Sequence, residues 1–240
     1  MCVMLSRRVT QRGLSLVELM VGITIGLIVA AGASMVAVNQ INEHRRLMLE
    51  VQVQQDLRTA VDILQQDMRR AGYRGLAQYS VWQPASGVGT PFEVPARAAS
   101  ASPYASTARS DTTGSREFMY SYARSSTNKS DIPSSNDFFG IKWDKGSKVL
   151  YLQLGTGNWQ PITDPESVKI VDFDINVATK ATDLTDFCEC PTAGCPAPPQ
   201  QLVRSVSFTI RGQANHDPNV VRTLRGVERI RADELTGTCP

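Results

Sequence analysis

The sequence of 240 residues has little of what enzyme active sites use most. It contains only two histidines, His44 and His216, and His216 lies in a Gly-x-Ala-Asn-His-Asp-Pro stretch that favours a turn. No nucleophile elbow, phosphate-binding loop or HExxH motif is present in the sequence. These absences exclude the common hydrolase, nucleotide-binding and zinc-protease classes. We therefore expect a protein that is not an enzyme and uses neither a cofactor nor a metal ion.

Acidic residues are absent from the first 17 positions, where Arg7, Arg8 and Arg12 lie. The formal net charge of +2 depends on these arginines, because the rest of the chain has 22 basic and 23 acidic residues. That balance gives no general reason to expect nucleic-acid binding. Positive charges ahead of an apolar segment also predict that the amino terminus stays in the cytoplasm and the remainder lies outside.

Proline is absent between Leu14 and Ala71, and the apolar run from Gly13 to Val38 contains one charged residue, Glu18. A run of about 20 apolar residues is long enough to span a bilayer as a helix. A carboxylate inside such a segment costs about 2.5–3.5 kcal/mol on insertion scales, so Glu18 is a candidate functional residue.

Two ordinary interpretations of this run compete with a functional one. A secretory signal peptide has an apolar region of about 7–15 residues before a small-residue cleavage site, which residues 31–33 could supply. The observed run is longer than that and carries Glu18. A simple single-pass anchor would have the right length, but it has no need of Glu18.

Basic residues, Gly13, four further residues, Glu18 and a long apolar helix together resemble the leader of type IV prepilins. The resemblance implies that a prepilin peptidase in the membrane cleaves between Gly13 and Leu14 and methylates the new amino group of Leu14. It also implies that Glu18 pairs with the terminal amine of a neighbouring subunit. One ion pair would then replace two isolated charges in the membrane.

A second stretch, Arg69-Arg70-Ala71-Gly72-Tyr73-Arg74-Gly75, has the form Arg-x-Ala-Gly-Tyr-Arg-Gly. It resembles the PilW group of minor pilins. That resemblance implies a priming and tip complex with other minor pilins, which starts assembly of the major pilin and supports adhesion and twitching motility. The implied partners also include the assembly platform of the inner membrane and a tip adhesin. The alternatives are a J-like minor pseudopilin of type II secretion and a DNA-binding minor pilin of DNA uptake.

The chain divides by pattern into four segments. We expect a leader at 1–13, a transmembrane half-helix at 14–38, an amphipathic half-helix at 39–71 and a periplasmic β-rich domain at 72–240. Gly72 is expected to end the helix. The amphipathic half has apolar residues mostly three and four positions apart. These residues are Leu47, Val51, Leu57, Val61, Leu64, Met68 and Ala71.

The carboxyl-terminal two thirds contain several segments with the alternation of strands. Lys148–Leu154 and Trp159–Thr163 flank a Gly-Thr-Gly-Asn hairpin signal, and further strands are expected at 117–122, 168–178, 202–211 and 222–232. In the 168–178 strand, Val171, Phe173, Ile175 and Val177 share one face. We expect an α+β type IV pilin-like fold, with the long amino-terminal helix packed on an antiparallel β-sheet.

Four of the five cysteines, Cys188, Cys190, Cys195 and Cys239, lie in the last quarter of the chain, whereas Cys2 lies in the leader. Their spacing is a poor match to the CxxC pairs of structural zinc sites. In an oxidising compartment we expect two disulfides instead. A bond between Cys188 and Cys190 would be strained, so we favour one local bond to Cys195 and one bond to Cys239, with the pairing left open.

The final predicted strand carries Arg225, Arg229 and Arg231, which would project from one side of it. Such arginines could bind DNA through phosphate contacts. A charged edge strand, which discourages pairing with other chains, explains the same pattern more simply. We favour the edge strand and keep these arginines as the candidate DNA-binding residues.

Overall fold

The structure, a computed structural model, describes residues 13, 15–83, 85–95, 97–124, 131–188 and 197–237. The chain forms two compact units, Met1–Met48 and Leu49–Pro240. Helix α1, Leu16–Met68, is 53 residues long, begins in the first unit and ends in the second. The absence of proline in this stretch permits such a long uninterrupted helix.

Between Leu16 and Val38, α1 is apolar on all sides, with Glu18 as its one charged residue. Every large apolar side chain from Leu16 to Val38 is between 50% and 74% exposed. The most apolar 18-residue window of α1 has a mean hydropathy of 2.2 and is 0% buried, so by length and composition this helix could cross a membrane. It is the one such helix among the described residues. A helix that is hydrophobic all round requires lipid or other helices around it.

In the second unit, α1 buries one face in the core. Its buried positions there are Val53, Leu57, Ala60, Val61, Leu64, Asp67 and Met68. The expectation that Leu47 and Val51 belong to this stripe is wrong, since they are 54% and 53% exposed. Val51 lies six residues before Leu57, which at 3.6 residues per turn places it about 120° away around the helix.

Sheet A is an antiparallel meander of five strands in chain order. Its strands are β1 Ala108–Asp111, β2 Ser115–Ser121, β3 Phe138–Asp144, β4 Val149–Leu154 and β5 Trp159–Pro161. The expected hairpin is confirmed, because β4 pairs with β5. Gly155 and Gly157 in its turn have φ values of 92° and 79°, which glycine adopts without strain.

Sheet B contains β6 Val168–Asp183, β7 Gln200–Ala214, β8 Val221–Arg229 and β9 Glu234–Thr236. Strand β7 pairs with β6 along one edge, and with β8 and β9 along the other. A bulge between Ile170 and Asp172 changes which residues of β6 face the core. Ile170 and Phe173 are therefore fully buried, whereas Val171, expected on the same face as Phe173, is only half-buried.

The two sheets meet at the outer edge of β6. The Trp143 indole N–H donates to the carbonyl of Ile170 at 3.0 Å, and the N–H of Ile170 donates to the carbonyl of Lys148 at 2.8 Å. The Arg116 guanidinium donates to the carbonyl of Phe173. These bonds satisfy backbone groups that a free strand edge would leave exposed.

One hydrophobic core joins α1 to both sheets. Its largest buried members come from α1, from sheet A and from sheet B, and include Leu57, Leu64, Met68, Phe118, Phe139, Ile141, Leu150, Ile170, Phe173, Ile175 and Ile210. This is the predicted α+β pilin-like architecture, one long amino-terminal helix packed on antiparallel β-structure. The sequence predicted a single sheet, whereas the structure has two.

Candidate functional site

The start of α1 holds the residues predicted for processing and subunit pairing. Gly13 and Ser15 are exposed, whereas Leu14 lies outside the described residues. The N–H of Leu19 donates to the carbonyl of Ser15 at 3.0 Å, so among the described residues Ser15 accepts the first helical hydrogen bond. Glu18 lies in the first turn, where the helix dipole favours a carboxylate. Cleavage after Gly13 and pairing through Glu18 stay predictions.

A buried carboxylate lies at the other end of the helix. Asp67 accepts hydrogen bonds from the hydroxyls of Tyr120 and Tyr122 on β2 and just after it, the latter at 3.0 Å. Burial raises the pKa of Asp67, while these two hydrogen bonds and the nearby Arg70 oppose that rise. The same burial, together with the Asp67 charge, raises the pKa of Tyr122 to about 12. The hydrogen bonds between Asp67 and these two tyrosines connect the end of α1 to sheet A.

The turn after α1 is fixed by Gly72 and Arg74. Gly72 has a φ of +77°, and its N–H donates to the carbonyl of Ser121 at 2.8 Å. Arg74 is 5% exposed, and its guanidinium donates to the Ser100 carbonyl at 2.9 Å and forms an ion pair with Asp131. Two residues of the Arg-x-Ala-Gly-Tyr-Arg-Gly stretch thus have structural roles.

The same stretch lines two neighbouring cavities. The first has a volume of about 430 Å³ and lies among residues after α1 and residues after β8, including Val81 and Arg231. The second has a volume of about 540 Å³ and is lined by Tyr122 and by residues of sheet A. Arg70 and Tyr73 line both cavities. Tyr73 is 44% exposed, so its ring is accessible to a partner.

The three candidate DNA-binding arginines are not equivalent. Arg225 and Arg229 lie on β8 and are exposed, but Arg229 forms an ion pair with Asp233 at 2.6 Å. Arg231 lies beyond the end of β8, and its backbone N–H donates to the carbonyl of Arg69 at 3.4 Å. The expectation that all three project from one side of one strand is therefore wrong, because the strand ends at Arg229.

Two family models match the chain. The model described as prepilin peptidase-dependent protein B matches residues 46–230, which is more than half of the sequence. The chain belongs to this family. The model described as the prokaryotic N-terminal methylation motif matches residues 8–34, which contain Gly13, Leu14 and Glu18. No curated protein and no solved structure matches the chain.

Membership in this family accounts for the amino-terminal half of α1. A prepilin peptidase-dependent protein is processed by prepilin peptidase and belongs to a pilus-type system, and the methylation motif lies at the start of the apolar helix. The apolar half of α1 is compatible with the single-pass membrane anchor of a type IV pilin. The chain is thus a prepilin peptidase-dependent, pilin-like protein, which is consistent with a minor pilin or pseudopilin.

The cysteine region of this prepilin peptidase-dependent protein is described only in part. Cys188 follows a short 3-10 helix, Thr185–Phe187. Cys190, Cys195 and Cys239 lie outside the described residues, so the expected disulfides and their pairing stay a prediction. Within the part of the chain that the structure describes, no group of three or more His, Cys, Asp or Glu side chains could hold a metal ion.

Sequence reasoning missed the Asp67 cluster and the cavities beside it. A usable signal was present: Asp67 lies three residues after Leu64, and residues three apart share a helix face. Tyr120 and Tyr122 likewise share one face of a strand. A charged residue on a buried helix face requires hydrogen-bond partners, and tyrosine hydroxyls can supply them. Nothing in the sequence indicated that these particular residues meet.

Proposed function

We propose that this prepilin peptidase-dependent protein is a PilW-type minor pilin. In this role it initiates assembly of a type IV pilus in a priming complex with other minor pilins, and the complex ends at the fibre tip. The observation that supports this proposal most is the apolar half of α1. Its side chains are exposed on all sides, and Glu18 is the single charge up to Val38. A pilin needs such a helix twice, first in the membrane and then among the helices of the fibre.

The proposed route follows from the charges at the start of the helix. The arginines before Gly13 keep the amino terminus in the cytoplasm, and the domain after the membrane segment lies in the periplasm. Cleavage after Gly13 creates a positive amine on Leu14 at the edge of the apolar segment. The Glu18 carboxylate of an adjacent subunit pairs with this amine, since either charge alone is costly in lipid. The pair sets the axial register between subunits.

The partners of this proposed function are the prepilin peptidase, the assembly platform of the inner membrane, other minor pilins, the major pilin and a tip adhesin. The mature protein lies first in the inner membrane and then at the pilus tip, where it supports adhesion and twitching motility. The two disulfides expected among Cys188, Cys190, Cys195 and Cys239 would stabilise the carboxyl-terminal region of the domain.

The experiment separates processing from assembly. Gly13→Ala is expected to leave the leader attached, and mass spectrometry of the membrane form measures this directly. Glu18→Ala is expected to be cleaved normally but to enter fibres poorly. Glu43→Ala is the matched control, because Glu43 lies on the same helix beyond the apolar run. Normal piliation by the Glu18→Ala variant would refute the charge-pairing argument.

The runner-up function is a J-like minor pseudopilin of type II secretion. The Arg-x-Ala-Gly-Tyr-Arg-Gly stretch, which resembles the PilW group, favours the pilus. Deletion of the gene, followed by counts of surface pili and by measurement of secreted enzymes, distinguishes the two functions. We expect pili and twitching motility to be lost while secretion continues. Loss of secretion with normal pili would make the pseudopilin function the correct one.

A further inference from the structure

The cavities on either side of Arg70 and Tyr73 together form a groove, which we call the Arg70 groove. It consists of the residues that line the first cavity, among them Val81 and Arg231, and of the residues that line the second cavity, among them Tyr122 and Phe139. The rings of Tyr122 and Phe139 stack in parallel with centroids 3.9 Å apart, which fixes the wall of the second cavity. The groove therefore presents preformed aromatic and apolar surface next to arginines.

Most charges of the first cavity are already neutralised by groups within the protein. Arg69 forms an ion pair with Glu228 at 2.9 Å. The buried Arg74 pairs with Asp131, and Asp233 pairs with Arg229, which does not line the cavity. The two remaining arginines, Arg70 and Arg231, form no direct ion pair among the described residues. Arg70 is attracted by Asp67 and donates a hydrogen bond to the hydroxyl of Tyr122. Arg231 is attracted by Glu228, which is already paired with Arg69. The first cavity thus carries a positive charge that its own acidic residue does not offset.

The acid of the second cavity offsets part of that charge, because Asp67 attracts Arg70. The Asp67 carboxylate is 9% exposed and accepts hydrogen bonds from two tyrosine hydroxyls. Burial raises the pKa of Asp67, while the two hydroxyls and Arg70 favour its charged form. Arg124 also lines this cavity. Five arginines but only two aspartates line the two cavities, so the groove as a whole is complementary to a negative ligand that has apolar surface.

We propose that the Arg70 groove binds an extended segment of another polypeptide chain, with a carboxylate side chain against Arg70 and Arg231. A large apolar side chain next to that carboxylate fills the cavity lined by Tyr73 and Val81. Arginine and tyrosine are the residues that most often dominate protein–protein binding energies. The inference rests on the proposed function only in taking that chain to be a neighbouring pilin-like subunit.

A polypeptide fits this groove better than a nucleic acid does. Phosphate recognition uses many exposed cations along a backbone, and its affinity depends on their number. Here the guanidinium groups of Arg70 and Arg231, which form no direct ion pair among the described residues, line a concave, mainly apolar cavity. Arg229, which lies on β8 and does not line the groove, is neutralised by Asp233. Cavity shape and charge together therefore favour an acidic peptide with apolar neighbours.

The test uses the full-length chain in a nonionic detergent and the fluorescein-labelled peptide Gly-Leu-Glu-Phe-Gly as the probe, with anisotropy as the readout. We expect the peptide with Gln in place of Glu to bind about tenfold more weakly, a difference of about 1.4 kcal/mol. Arg70→Gln and Arg231→Gln should each lower the affinity for the Glu peptide by a similar factor. Arg225→Gln is the matched control, because Arg225 is exposed on β8 and lines neither cavity.

Three results would overturn the proposal. The Glu and Gln peptides could bind equally, or Arg225→Gln could weaken binding as much as Arg231→Gln does. Thirdly, a single-stranded oligonucleotide could bind through Arg70 and Arg231 and displace the peptide, which would make the groove a nucleic-acid site. Leader cleavage and piliation are measured separately, and none of these three results bears on them. A failure of the groove proposal is thus distinguishable from a failure of the proposed function.

Discussion

Removal of one oxygen atom, by Tyr120→Phe, isolates the contribution of the Asp67 cluster. Tyr120 is 2% exposed and its ring lies between those of Phe118 and Phe139, at centroid distances of 5.9 and 6.0 Å. Phenylalanine keeps this packing but no longer donates to Asp67. Hydrogen bonds to charged groups contribute about 1.5–3 kcal/mol. We expect the free energy of unfolding to fall by that amount, and Tm to fall by about 3–12 °C for a domain of this size.

The same substitution has a pH dependence with a definite sign. Burial raises the folded-state pKa of Asp67 above its ordinary value of 3.8, and the Tyr120 hydroxyl opposes the rise. Without that hydroxyl the pKa of Asp67 rises further. A carboxyl with a raised pKa contributes its full stability below its unfolded pKa and loses it as the pH rises through the folded pKa. The Tyr120→Phe defect is therefore expected to be largest at neutral pH and to shrink on acidification.

The assay is guanidinium unfolding of the full-length chain in detergent, followed by tryptophan fluorescence, since Trp143 is buried in the core. Tyr151→Phe is the matched control. Tyr151 lies half-buried on β4, and its hydroxyl has no hydrogen-bond partner among the described residues. The reasoning is refuted if Tyr120→Phe and Tyr151→Phe lose equal stability at neutral pH, or if the Tyr120→Phe defect grows as the pH falls.

Two further substitutions test the turn after α1 and the junction of the sheets, each by guanidinium unfolding followed by circular dichroism, because Trp143→Phe removes the buried fluorescent reporter. Gly72→Ala should destabilise the protein by about 1–3 kcal/mol, because Gly72 has a φ of +77° and an added Cβ would lie 2.9 Å from the Arg204 guanidinium. Gly89→Ala, at a φ of +78° with open space around it, should cost less, and equal losses would contradict the steric argument. Trp143→Phe should cost about 1–3 kcal/mol by leaving the Ile170 carbonyl without its indole donor. Trp159→Phe, at a half-buried site on β5, is its control, and a smaller loss for Trp143→Phe would contradict the role of that bond.

The helix could be predicted well because its physics is local. The absence of proline and the apolar run predicted a single long helix, and the spacing of Leu57, Leu64 and Met68 predicted its buried face. The glycine at position 72 predicted the stop, although the helix ends at Met68 and a turn precedes Gly72. The starting point of the buried face could not be predicted, since it depends on where the domain begins to cover the helix.

The sheets were predicted less completely, and strand β3 was missed. Phe139, Gly140 and Ile141 are consecutive and all buried, so the alternation typical of a half-exposed strand is absent. Strands β1 and β9 are four and three residues long, too short for a reliable pattern. The division into two sheets depends on contacts such as Arg116 with the Phe173 carbonyl, which connect residues far apart in the sequence.

The candidate sites also differ in how much of each could be predicted from the sequence. The processing residues Gly13, Leu14 and Glu18 form a contiguous motif, and the family comparison matches that segment. The Arg70 groove instead combines the end of α1 and the turn after it with residues just after β2, residues of β3 and β4 and the segment after β8, so its lining could not be derived from any one stretch. The Arg-x-Ala-Gly-Tyr-Arg-Gly stretch identified where to look. Only the structure separates its structural residues, Gly72 and Arg74, from its exposed ones, Arg70 and Tyr73.

Strands β8 and β9 pair with the same edge of β7, and their unequal lengths have a mechanical consequence. Strand β9 is three residues long and β8 is nine, so the carboxyl-terminal strand has the fewest ladder hydrogen bonds in sheet B. When the expected disulfide of Cys239 is reduced, a pulling force on that end would peel β9 away from Gln200–Leu202 first and leave the rest of β7 clamped between β6 and β8. Under tension, the domain would thus yield at its tail while its core stays closed.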